Sequence, residues 1–121
     1  ADNDMLIYDV FDNCLGTATR ESGKNIRTDV LNLLRRNEKG IILDFSKVST
    51  VSSSFIDEFI AKLIIELGFI TFNQVVLIIN MQDIVKHLCE RAIYMRLHDE
   101  WEEFKLQEKS KNISCIKKSN N

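Results

Sequence analysis

An α/β fold is what the hydropathy pattern of this 121-residue chain predicts, and three observations carry it. Short segments of strand length recur: Met5–Phe11 by its alternation, and Ile41–Phe45 and Val75–Ile79 by their largely apolar residues. Between and after them, apolar residues return at helical spacing. Polar turn residues separate the two kinds of segment. Alternating strands and helices of this size imply parallel strands joined by crossover helices.

Met5–Phe11 reads as the first strand, with Leu6, Tyr8 and Val10 alternating against Ile7 and Asp9. Asp12 and Asn13 signal a turn, and Leu15 opens a short second strand. Thr19 or Ser22 caps the next helix. Ile26, Val30, Leu33 and Leu34 form its buried face, and Asn37–Gly40 ends it. Ile41–Phe45 is apolar on both faces, the mark of a central strand between helix layers.

The richest stretch is GIILDFSKVSTVSSSFIDEFIAKLIIEL, residues 40–67. A strand ends at Asp44, a polar turn follows, and Ser52, Ser53 and Ser54 enter a helix. Val48 and Val51 are placed to hold the turn against the core. Phe55, Phe59, Leu63 and Leu67 form the helix stripe, and Gly68 is its C-cap. One serine should be the N-cap, and Ser54 with Asp57 has capping-box spacing. After the strand at Val75–Ile79, Asp83 starts a helix carrying Ile84, Leu88, Ala92 and Met95. A break is expected near His98-Asp99, with Trp101 and Phe104 closing the core. Residues 1–108 read as one domain. Residues 109–121 read as a basic polar tail, frayed or forming a short edge strand at Ile113–Ile116.

Composition narrows the functional classes. Hydrophobic residues make up 45% and charged residues 28%, which is globular composition. A formal charge of -2 provides no general attraction to DNA. The apolar runs are too short to span a bilayer, and the first residues lack a signal-peptide pattern, so a cytoplasmic protein is expected. Cys14, Cys89 and Cys115 are far apart and include no CxxC pair, so no metal site is expected. No phosphate-binding glycine loop occurs, and no cofactor is expected. Arg20-Glu21 reads as a solvated pair.

The chemistry concentrates at the serines. A hydroxyl where a strand tip meets a helix start can bind an anion or carry a phosphate. Ser53 is central, with Ser52 and Ser54 beside it. A phosphate there would face Asp44, Asp57 and Glu58 and repel an acidic or apolar partner. Helix capping alone also explains serines and acids at this place. An enzyme reading would need His87 or His98 brought to a serine by the fold.

The segment IILDFSKVSTVSSSFIDEF resembles the signature region of STAS domains, the fold of bacterial anti-sigma factor antagonists. It is most similar to the STAS-like subgroup described as DUF4325. Asp44, Phe45, Ser46, Ser53, Ser54, Phe55, Asp57 and Glu58 carry the resemblance, with Gly68 and Asn80. It extends from about Leu15 to Leu97. It implies a central mixed sheet of about four strands with helices mainly on one side. It also implies a GHKL-type ATPase/kinase or another regulatory protein as the partner. Little in the residues themselves looks like catalytic machinery, so a non-catalytic regulatory module is the reading, and a weak homodimer is a separate expectation. In the antagonists the first serine of an Asp-Ser-Ser/Thr-Gly turn is phosphorylated, and here that serine is Ser53. Ser52 stands in place of the aspartate and Phe55 in place of the glycine. Asp44, Ser46, Phe55, Asp57 and Glu58 are the expected partner contacts. A small-anion or nucleotide sensor at the same helix start is the alternative, and an enzyme the third reading.

Overall fold

A computed structural model describes residues 5–14, 18–37 and 39–119, with side chains to residue 106. Among the described residues, three parallel strands form the sheet: β1 (Leu6–Asp9), β2 (Ile41–Asp44) and β3 (Val76–Ile79), in the order β1-β2-β3. The expected mixed sheet of about four strands is corrected to this smaller, all-parallel one. The strand expected from Leu15 lies outside the described residues. In register, Tyr8 pairs with Leu43 and Ile41 with Val76, and these four side chains line the buried face.

β1 ends sooner than its alternation suggests. Asp9 accepts the Asp12 backbone N–H at 2.9 Å and so caps a single helical turn, α1 (Val10–Asn13). α2 (Arg20–Arg36) begins with a reciprocal box. Thr19 caps it and Ser22 bonds back to the Thr19 N–H at 2.8 Å.

Helical residues 53–67 fall into α3 (Ser53–Ile56), a π turn (Asp57–Ala61) and α4 (Lys62–Leu67). Gly68, at φ +85°, ends this run and opens α5 (Phe69–Val75), an element that apolar spacing did not disclose. α6 (Asp83–Ser119) runs on through His98-Asp99 and through 113–116. Its backbone is therefore helical where a break and an edge strand were expected.

The core lies between one sheet face and the helices α2, α3, α4 and α6. Phe45, Phe55, Phe59, Ile60 and Leu63 are fully buried there. Phe59 stacks on Phe45 and meets Phe55 edge to face. The opposite sheet face is open. Ile7, Ile42 and Leu77 pair across it, with Ile7 67% and Leu77 49% exposed. Helices on one side hold as expected, and the second helix layer over β2 is absent among the described residues.

Candidate functional site

The candidate site is built at the C-terminal end of β2. Asp44 accepts the Ser46 backbone N–H at 2.9 Å and the Asn80 side-chain amide at 3.2 Å. Those two bonds tie the loop after β2 to the loop after β3. They also hold the Asp44 carboxyl below its ordinary range, the Ser46 N–H contributing most. Val48 and Val51 are buried and press the loop onto the core.

Each of the three serines has its own environment. Ser52 is the N-cap: its Oγ accepts the Phe55 N–H at 3.0 Å and donates to the Ala18 carbonyl at 2.8 Å. Ser54 and Asp57 do not form the expected box. Ser53 is exposed, and its hydroxyl has no hydrogen-bond partner among the described residues. Ser53 and Ser54 line a hollow of about 240 Å³ with Arg20, Asp57, Leu88, Arg91 and Met95. α2, α3 and α6 meet at this hollow.

Several partner-facing expectations need correction. Phe55 is fully buried and Glu58 nearly so, so neither presents its side chain to a partner. With its ring in the core, Phe55 does not stand in the way of a partner approaching the helix start. Asp57 is half-buried and committed: Arg96 approaches it through two nitrogens, at 3.1 Å to Oδ1 and 2.5 Å to Oδ2. Arg20 is not a solvated pair with Glu21. It reaches Glu58 at 2.7 Å and Asp57 at 3.4 Å. Arg27 and Lys62 complete the set around Glu58, at 3.1 and 2.7 Å. Four cationic side chains thus neutralise the two acids beside the serines.

Lys62 lies one turn from Glu58 on the same helical run, but sequence spacing did not reveal the three arginines, because α2 and α6 bring them from more than thirty residues away. The Lys62 ammonium, then Arg27 and Arg20, holds the Glu58 carboxyl down at about 2 although burial opposes this. Asp57 raises the Arg96 pKa in turn. His87 and His98 are exposed on α6, and His98 stacks against Tyr94. No group of three or more His, Cys, Asp or Glu residues could hold a metal ion among the described residues. Cys89 is a core thiol whose pKa burial raises to about 11.

Helices on one face of a small parallel sheet, with a capped serine turn beyond the central strand, define a STAS-like α/β module. The chain belongs to the family described as the STAS-like domain of unknown function (DUF4325), whose model matches residues 22–86. That stretch runs from the first turn of α2 through the serine turn and β3 into α6. No curated protein and no solved structure matches the chain significantly. No helix among the described residues is long and apolar enough to cross a membrane.

Proposed function

We propose that this domain is a non-catalytic regulatory module that binds another protein through the surface around Ser53. Phosphorylation of that hydroxyl by a GHKL-type ATPase/kinase partner is the switch. The observation that carries the reading is the division of labour among the serines. Ser52 spends its hydroxyl on the helix cap, while Ser53 is exposed and its hydroxyl makes no bond among the described residues. A group can therefore be added at Ser53 without dismantling the helix start.

The charges alter the expected consequence. Asp57 and Glu58 already face Arg20, Arg27, Lys62 and Arg96, so they offer little net repulsion to a phosphate. Arg20 and Arg91 line the hollow next to Ser53, and Arg91 has no ion-pair partner among the described residues. A phosphate of about two negative charges would be drawn toward those guanidiniums. It would compete with Asp57 for Arg20 and change the charge of the partner surface. The same two arginines support the alternative, a module that senses a free anion or nucleotide.

The test is incubation with a GHKL-type kinase and ATP, followed by intact mass and peptide mapping. One phosphate on Ser53, lost in Ser53→Ala, is the expected result. An unmodified chain removes the switch. Failure of unmodified protein to bind any such ATPase removes the interaction reading. Calorimetry with phosphate, ATP and GTP then decides the alternative.

A further inference from the structure

α6 leaves the core after Leu97, and every residue from His98 to Leu106 is exposed. Trp101 and Phe104, expected to close the core, stand 55% and 50% exposed, with rings stacked at 5.5 Å. Large aromatic surface in water on a projecting helix calls for a partner.

The arrangement has direction. Val85, Cys89 and Ala92 are buried against the body, and Arg96 follows on that face to bind Asp57. Tyr94, Leu97, Trp101 and Phe104 recur at spacings of three and four. At about 100° per residue, this second line lies roughly 130° around the helix from the first. It therefore faces away from its own domain, and a helix laid along it meets no obstruction from the core face.

We infer that this face pairs with the same face of a second copy, the two α6 helices running parallel. Tyr94 and Trp101 occupy the first apolar position of a heptad, and Leu97 and Phe104 the fourth. Charge settles both the partner and its direction. Glu100 flanks the seam on one side, His98 and Lys105 on the other. In a parallel pair Glu100 of each helix lies opposite Lys105 of its mate, five residues on. In an antiparallel pair the Glu100 side of one helix would face the Glu100 side of the other, and the Lys105 side would face the Lys105 side, so neither residue would find the other's charge opposite it. Lys105 is held at present only by an exposed pair with Glu102 at 3.0 Å and by the Trp101 ring at 5.7 Å. Contacts of that kind exchange at little cost. Upstream, Glu90 and His87 replace apolar residues on the same line, so the helices diverge toward the two bodies.

Sedimentation equilibrium on the full chain tests this. At roughly 100 µM the chain should have dimer mass and should dissociate on dilution. Trp101→Glu with Phe104→Glu should give a monomer with a native far-UV spectrum and the melting temperature that the natural chain shows at dilutions where it too is monomeric, since both positions lie outside the core. Glu100→Lys alone should weaken the dimer roughly tenfold, and adding Lys105→Glu should restore it. A monomer at the highest concentration overturns the proposal, as does a dimer that survives the double glutamate variant. Failure of the charge swap to rescue overturns the parallel pairing.

Discussion

Arg27 grips Glu58 at two points, donating from Nη1 both to its backbone carbonyl and to its carboxylate, the latter at 3.1 Å. Glu58 belongs to the π turn, where the Lys62 N–H reaches back five residues to the Asp57 carbonyl. A widened turn disturbs the regular ladder of helical hydrogen bonds. Here a side chain from α2 satisfies a carbonyl within that turn and pins it to the neighbouring helix. Arg27 also binds Glu66 at 2.9 Å, so one guanidinium spans the π turn and α4. Removing it leaves a nearly buried carboxylate with less compensation. Arg27→Ala should therefore lower stability by about 3 kcal/mol in urea unfolding. Arg27→Lys should recover only part, because an ammonium cannot fork between carbonyl and carboxylate.

The same carboxylate gives the fold a dependence on pH. Its folded pKa of about 2 lies below the unfolded value of 4.5, Lys62 contributing most. Folding thus favours the ionised form. The stabilisation is complete above pH 4.5 and is lost as the pH falls toward 2. The whole shift corresponds to about 3 kcal/mol, which screening at the solvent-facing Arg20 and Lys62 reduces to about 1–2 kcal/mol. Urea midpoints between pH 6 and pH 3 should fall more steeply for the natural chain than for Glu58→Gln.

Gly23 lies on α2 where that helix meets α3. A Cβ at this position would sit 2.6 Å from the Phe55 carbonyl oxygen and 3.2 Å from the Glu58 Cβ. Alanine in a helix interior normally gains about 1 kcal/mol over glycine. The clash is with backbone, which cannot rotate away, and overpacking of this kind costs about 1–3 kcal/mol. Gly23→Ala should therefore destabilise, despite its better propensity. A melting temperature at or above that of the natural chain would contradict the close approach of α2 to α3.

Elements with a local cause were legible in the sequence. Apolar runs located β2 and β3 to within a residue, and Thr19 with Ser22 announced the start of α2. Gly68 ended its helix as its lack of a side chain suggested. Other features have causes the spacing does not encode. Asp9 stops β1 by capping, although the alternation runs on through Phe11. Phe69 and Ile70 are exposed, so α5 has no buried stripe to announce it. A π turn keeps Phe55, Phe59 and Leu63 at spacings that an α-helix shares. The arginines around Asp57 and Glu58 belong to elements distant in sequence, and only Lys62 is a near neighbour. The serine turn was therefore visible as a place, while its charge balance was not.

That turn allows the structural and regulatory roles of neighbouring hydroxyls to be separated. Ser52 accepts the Phe55 N–H and donates to the Ala18 carbonyl, fastening the helix start to the segment before α2. Ser52→Ala removes both bonds and should cost about 1–2 kcal/mol. Ser53 is exposed and makes no such bond, so Ser53→Ala should stay within about 0.5 kcal/mol of the natural chain. Urea unfolding of both variants, with phosphate incorporation measured on the same samples, gives four numbers. If Ser53 is the regulatory hydroxyl, its alanine variant keeps stability and loses phosphate incorporation, while Ser52→Ala loses stability yet still accepts phosphate. A large stability loss at Ser53 would mean that its hydroxyl is structural. The assignment of the cap to Ser52, and with it the freedom of the central serine, would then be wrong.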